Sequence, residues 1–379
     1  MTATIHNTIV YFPYLNMGDT DEIDFGFLKI WNFSRLKNER IQDEHIRSHV
    51  TTMLEVHRSM NGPMQDIGIV SFGDTGPFSL TQPDQLANIR EAKLVLFLSF
   101  LARNNTRTPN PNRGHLMATS ENFQEIYQNF IVGGDYIAEL GGYVVPFSHM
   151  NELRKVYRLR PEHVPTPLRF EIDKELFGCL LELKNKRPRV YGRIINAIEL
   201  FFESYHNSES VSRNARILLQ MSAFEILLQL PGRRQRLRFK NKVESLLGLP
   251  GEKQYVYYYE NGQGNRQKET RTRKGIWADR FYTLRNHIIH GSTPPDSDYV
   301  LSFRSGSSQR HTDIAFLFFV LLVKRLVEKS LRRVIFPDDI EWGKWKDHNT
   351  LTQGEGFIYE SMSFRRFTPR ALRRLVANL

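Results

Sequence analysis

Residues 277–291 read WADRFYTLRNHIIHG, and the reading of this stretch decides the fold of the C-terminal half. Wound as a helix, it places Trp277, Phe281, Leu284 and Ile288 at i, i+4, i+7 and i+11, one apolar stripe. Gly291 follows where a helix ends most cheaply, because glycine adopts the left-handed conformation without steric cost. Off the stripe, Arg285 lies about 140° round from His290 at 100° per residue. Asn286 and His290 sit one turn apart on another face, and His287 is three residues before His290. The chain has no Cys pair at metal-ligand spacing and no HExxH, so this stretch is not read with a metal or a cofactor.

Outward from this stretch, the pattern from Pro161 onward is helical. Helices are expected over Glu171–Leu183, Val190–Tyr205, Ser212–Leu230, Arg238–Leu247, Trp277–His290 and Asp313–Val334. In the second, Tyr191, Ile194, Ile195, Ile198, Phe202 and Tyr205 form one stripe. The third, ARILLQMSAFEILLQL, is apolar nearly all round and is the expected centre of a bundle. The run Ile314–Val323, bounded by Asp313 and Lys324, is half the length of a membrane span. It reads as a core or interface helix, and its apolarity points to a homodimer.

Before that, signals mix. Strands are expected at Ile9–Tyr14, Phe25–Phe33, Ile67–Phe72, Phe123–Ile131 and Tyr136–Pro146, with helices at Gln42–His57 and Gln85–Ala102. Asp21–Asp24 (DEID) reads as a solvated turn, and Asn104–Gly114 as a loop. The Gly pairs at 133–134 and 141–142 lack the Lys-Ser/Thr of a phosphate-binding loop. The expected organisation is an α+β domain over residues 1–165, an all-α bundle over 166–335 and a basic tail over 336–379.

The balance of 52 Lys+Arg against 41 Asp+Glu in 379 residues gives a net charge of +11, which favours an anionic partner. Hydrophobic content of 40% excludes a disordered chain. The one cysteine, Cys179, sits in an apolar stretch and reads as core. It leaves no intrachain disulfide, which fits the cytoplasm, and the N-terminus has no secretory pattern.

Two motifs together carry a resemblance. SAFEILL around Glu225 followed by YTLRNHIIHG from Tyr282 to Gly291 resembles the HEPN superfamily, and its Apea-like branch in particular. The resemblance covers roughly residues 185–335. It implies a dimeric helical bundle in which two Arg–x4–His motifs form one ribonuclease site, cutting single-stranded RNA to a 2′,3′-cyclic phosphate without metal, in a toxin or phage-defence setting with an antitoxin or sensor partner. In that scheme His290 moves the proton of the 2′-hydroxyl, because imidazole titrates near working pH. Arg285 stabilises charge on the phosphate, and Asn286 orients either group. His287 and Glu225 are expected to support, Glu225 as ion-pair partner of Arg216 or Arg285. Many bundles of this superfamily are non-catalytic scaffolds or sensors, and that reading stays open beside the enzyme.

From Pro231 to Gly275 there are twelve Lys/Arg against four Glu. Arg233, Arg234, Arg266, Lys268, Arg271, Arg273 and Lys274 are the expected RNA contacts. The intervening YVYYYENGQGN reads as a hairpin whose Tyr255, Tyr257, Tyr258 and Tyr259 suit base stacking. A solvated basic loop is the alternative.

Overall fold

The structure, a computed structural model, describes residues 5–59, 62–73, 83–106, 119–132, 137–140, 143–146, 158–159, 170–206, 211–248, 254–260, 266–302 and 308–336. The chain divides into two compact units, residues 1–97, 116–171 and 206–208 in the first, and 98–115, 172–205 and 209–379 in the second. The expected boundary after residue 165 thus shifts to Glu171, and residues 98–115 join the second unit. The expected basic tail beyond residue 336 and both Gly pairs lie outside the described residues.

The first unit is α+β. Strands β1 (Ile5–Asn16), β2 (Glu22–Asp24) and β3 (Lys29–Asn32) are followed by helices α1 (Phe33–Arg40) and α2 (Glu44–Leu54). Short β4 (His57–Ser59) and β5 (Gly62–Pro63), then β6 (Ile67–Ser71) and α3 (Pro83–Thr106, counted with the second unit from Leu98 on), lead to β7 (Ile126–Val132), β8 (Ile137–Leu140), β9 (Tyr143–Pro146) and β10 (Arg158–Leu159). Seven strands form one sheet in the order β2-β3-β6-β1-β7-β8-β9, every pairing antiparallel. Because side chains alternate along a strand, Ile9 and Tyr11 face one way and Val10 and Phe12 the other. All four are fully buried, as the central position of β1 demands. On the first face they join Trp31, Ile67 and Ile69 against Phe33, Val50, Met53 and Leu54 of the two helices.

Three expectations for this unit are corrected. The Phe25–Phe33 strand stops at Asn32, whose side-chain oxygen accepts the Ser34 N–H and starts α1. The DEID turn is instead edge strand β2 and its approach. Glu22 there pairs with Arg40 and, at 3.4 Å, with Lys29, so the carboxylates are held by cations of neighbouring elements. Phe123 belongs to a short 3-10 turn, Ser120–Phe123, before β7 begins.

The second unit is mostly helical. Its helices are α4 (Lys174–Lys186), α5 (Pro188–Ser204), α6 (Arg213–Leu228) and α7 (Gln235–Leu247). The hairpin β11 (Gln254–Glu260) and β12 (Arg266–Thr272) precedes α8 (Arg273–Ile289), and β13 (Val300–Ser302) and β14 (Ser308–Arg310) precede α9 (His311–Leu331). Aromatic rings knit the centre. Phe224 of α6 meets Phe239, Trp277, Phe281 and Phe319 within 6.3 Å. Phe201 stacks on Phe319 at 4.1 Å, and the Trp277 and Phe318 rings meet edge-on at 4.6 Å. Every residue from Ile314 to Val323 is 7% exposed or less, so this run is covered by its own chain and leaves no apolar surplus for a partner. Among the described residues no helix is long and apolar enough to cross a membrane.

Candidate functional site

The helix that carries the motif begins without a linker from β12. Thr272 caps it by accepting the Gly275 N–H, and the Glu244 carboxylate of α7 accepts from the Thr272 hydroxyl (2.7 Å) and backbone N–H (2.9 Å). The Cβ of any other residue at 275 would run into that carboxylate, so glycine here admits Glu244 to the helix start. The far end closes as a Schellman turn. Ser292 N–H donates to the His287 carbonyl, Gly291 N–H donates to that of Ile288, and Gly291 takes φ +76°, as its position in the sequence predicts.

At this end Arg285, Asn286, Glu225 and Tyr282 come together, while His287 and His290 do not join them. Arg285 places its guanidinium 3.2 Å from the Glu225 carboxylate of α6 and 3.1 Å from the Asn286 side-chain oxygen, and keeps about a fifth of its surface open (21%). Of the two partners expected for Glu225, it takes Arg285. Tyr282, one turn earlier, places its hydroxyl 2.7 Å from Gln235 and 3.2 Å from Glu225. Burial, then the Glu225 carboxylate, pushes that hydroxyl up to about 12, so it works as a neutral hydrogen-bonding group. His290 is exposed, and its ring has no polar partner among the described residues. His287 is half-exposed, 3.9 Å from Asp298 in the turn that follows. Tyr282, Gln235 and Asp298 escaped the sequence reading. Tyr282 alone had a signal, its place three residues before Arg285.

The expected RNA contacts divide. Arg233 and Arg234 are exposed ahead of α7, Arg234 in a left-handed conformation (φ 54°). Lys268 is exposed on the outer face of the hairpin. Lys274 is corrected: it is buried, and its ammonium donates to the Leu247 carbonyl at 2.8 Å, because position 274 falls on the first, inward turn of α8. Arg271 points inward too, clamped at 2.7 Å by both Glu244 and Glu269, which raise its pKa against the effect of burial. Arg273 lies over the Tyr255 ring at 4.3 Å. The side chain of Arg266 lies outside the description.

The tyrosines are corrected by the strand period. Tyr255, Tyr257 and Tyr259 share the inner face, where Tyr257 stacks on Tyr259 at 5.7 Å and the Lys240 ammonium lies over both rings. Of the four tyrosines only Tyr258 is exposed, with Val256 on the face of Lys268 and Thr270. Under the hairpin lies a buried charge network. Arg236 makes a bidentate pair with Asp279 (2.9 and 2.6 Å), and Lys240 binds Glu269 (2.6 Å) and Asp279 (3.3 Å). No protein-family model, no curated protein and no solved structure matches this chain.

Proposed function

We propose that the chain is a metal-independent endoribonuclease of HEPN type that cuts single-stranded RNA to a 2′,3′-cyclic phosphate and a free 5′-hydroxyl. One observation carries the reading. A partly open guanidinium held by Glu225 and Asn286 and an exposed imidazole with no polar partner among the described residues occupy the last turns of one helix. His290 takes the 2′-hydroxyl proton as that oxygen attacks phosphorus, and the bond to the 5′-oxygen breaks, the leaving oxygen taking a proton from solvent. Arg285 stabilises charge on the non-bridging oxygens, while Glu225 and Tyr282 position it. The expected setting is a cytoplasmic toxin or phage-defence system with an antitoxin or sensor partner.

The assay is labelled RNA in excess EDTA. His290→Ala should slow cleavage by about 100-fold or more and Arg285→Ala by a comparable factor, with His287→Ala much milder. Cleavage lost on adding EDTA, or a double variant as fast as the parent, would leave the non-catalytic scaffold as the better account.

A homodimer belongs to this reading, with Ile226 (37% exposed) and Ile289 (49% exposed) flanking the site in place of the covered 314–323 run. Light scattering should give about twice the 44.4 kDa chain mass. A monomer at micromolar concentration would remove the two-chain site.

A further inference from the structure

The His290 ring has no polar partner among the described residues, so its place is set by the backbone turn that closes α8. Three hydrogen bonds make that turn. The His290 N–H donates to the Asn286 carbonyl at 3.0 Å, Gly291 N–H to Ile288 at 3.1 Å, and Ser292 N–H to His287 at 2.9 Å. Helix ends fray, however, and such a turn persists only where the chain beyond it is tied down.

The chain beyond it is a short strap. Gly291, Ser292 and Thr293 are exposed, Pro294 is buried, and Asp296–Tyr299 wind into one 3-10 turn. That turn is fastened on two sides. On one, the buried Tyr299 donates its hydroxyl to the Asn214 side-chain oxygen at 2.5 Å. The Arg213 guanidinium lies 3.4 Å from the centre of the Tyr299 ring and reaches Asp296 at 2.7 Å. The ion pair adds little, because Asp296 is almost wholly in water. The stacked guanidinium and the hydroxyl carry the fastening. On the other side Asp298 lies 3.9 Å from His287, in the last turn of α8.

Arg213 and Asn214 are the first two residues of α6, which Ser212 caps by accepting the Ala215 N–H. About three turns further along the same helix stands Glu225, the partner of Arg285. We infer that Tyr299, with Arg213 and Asn214, positions the turn that carries His290, so that His290 and Arg285 are both placed by α6. Tyr299 touches no reacting atom and acts through the backbone. If the strap lifts, Ser292 leaves the His287 carbonyl and the helix end is free to unwind. Unwinding by one residue swings His290 by about 100°. The effect on cleavage rests on the ribonuclease reading, whereas the effect on the turn does not.

The test compares the full chain with a variant in which both fastenings are loosened, Arg213→Ala with Tyr299→Phe, which keeps the buried ring. Amide hydrogen exchange should speed up by about tenfold or more at Gly291 and Ser292 and stay unchanged at Phe281, in the middle of α8. In the EDTA cleavage assay kcat should fall by about tenfold or more with KM unchanged, since displacing a reacting group costs rate rather than binding. Tyr299→Phe alone, a change of one oxygen, should show both effects in smaller degree. Arg213→Lys, which keeps a cation over the ring, should restore most of what Arg213→Ala loses. Unaltered exchange at Ser292, faster exchange with kcat unaltered, or a rise in KM alone, which would make Arg213 an RNA contact, would each overturn the inference. No cleavage by the parent chain would instead sink the ribonuclease reading, and exchange at Ser292 would still decide whether Tyr299 holds the turn.

Discussion

The two ends of α8 are built from the same residue types and do opposite things. At the first end Lys274 is buried on a backbone carbonyl, Arg273 lies over Tyr255, and Asp279 neutralises Arg236 and Lys240. At the other end Arg285 is a fifth open, His287 is half-exposed and His290 is exposed without a polar partner among the described residues. A positive charge in the sequence is therefore not yet a ligand contact. Whether a carboxylate, carbonyl or ring is packed against it decides if it holds the fold or is left for chemistry.

The largest test of the closed end is Asp279→Ala. It would leave Arg236 and Lys240 facing one another with Glu269 alone to offset them, and should cost about 3–5 kcal/mol of stability by urea unfolding. A loss below about 1 kcal/mol would mean that water reaches this network and that the two ends differ less than their geometry says.

A smaller, pH-dependent effect concerns His311, which begins α9 and stacks on Phe281 of α8 at 5.9 Å. Its ring nitrogens are buried without hydrogen bonds among the described residues, and burial, then Arg280, lowers its pKa to about 3. The unfolded chain takes up a proton near the ordinary value of 6.5, whereas the folded chain does not. Stability is therefore full above about pH 6.5 and falls with acidification down to about pH 3, at no more than about 1.4 kcal/mol per pH unit. His311→Phe should flatten the second unit's profile between pH 6.5 and 4.5, above the range where carboxylates such as Glu269 and Glu328 add their own acid sensitivity. A slope unaltered by that substitution would assign the loss to another group.

The smallest effect separates two lysines that the sequence treats alike. Lys268→Gln should lower the salt slope of RNA binding by about one and leave stability unchanged, since it removes one exposed phosphate contact. Lys274→Gln should leave the slope alone and lower stability. The reverse pattern would undo the assignment of inner and outer positions.

The fold was legible where periodicity was strong. Of the expected stripe Trp277, Phe281 and Leu284 are buried and Ile288 is half-buried, and Gly291 ends the helix. The α+β character of the first unit also followed from its alternating strands. The basic arm is not one surface, because a strand sends alternate residues to opposite faces and so divides its Tyr, Lys and Arg between them. Counting Tyr255, Tyr257 and Tyr259 separately from Tyr258 would have found this. The partners Gln235, Asp279 and Asp298 were not legible at all, since they come from separate elements and no local pattern announces them. The Ile314–Val323 run is core, one of its two expected readings, but what covers it is not legible in the run itself. Its cover comes from Phe201, Phe224 and Trp277, more than thirty residues away in each case.

The linkerless join of β12 to α8 has a further consequence, for register. Thr272 is held at once by its strand partner Gln254 and by Glu244, so the angular phase of the helix is set at its first residue. Inserting or deleting one residue between 273 and 277 would turn everything downstream by about 100°. Arg285 would leave Glu225, and His290 would swing with it, although neither had been touched. The spacing from the strand end to the arginine is thus as strict a requirement on this chain as the identity of the arginine itself.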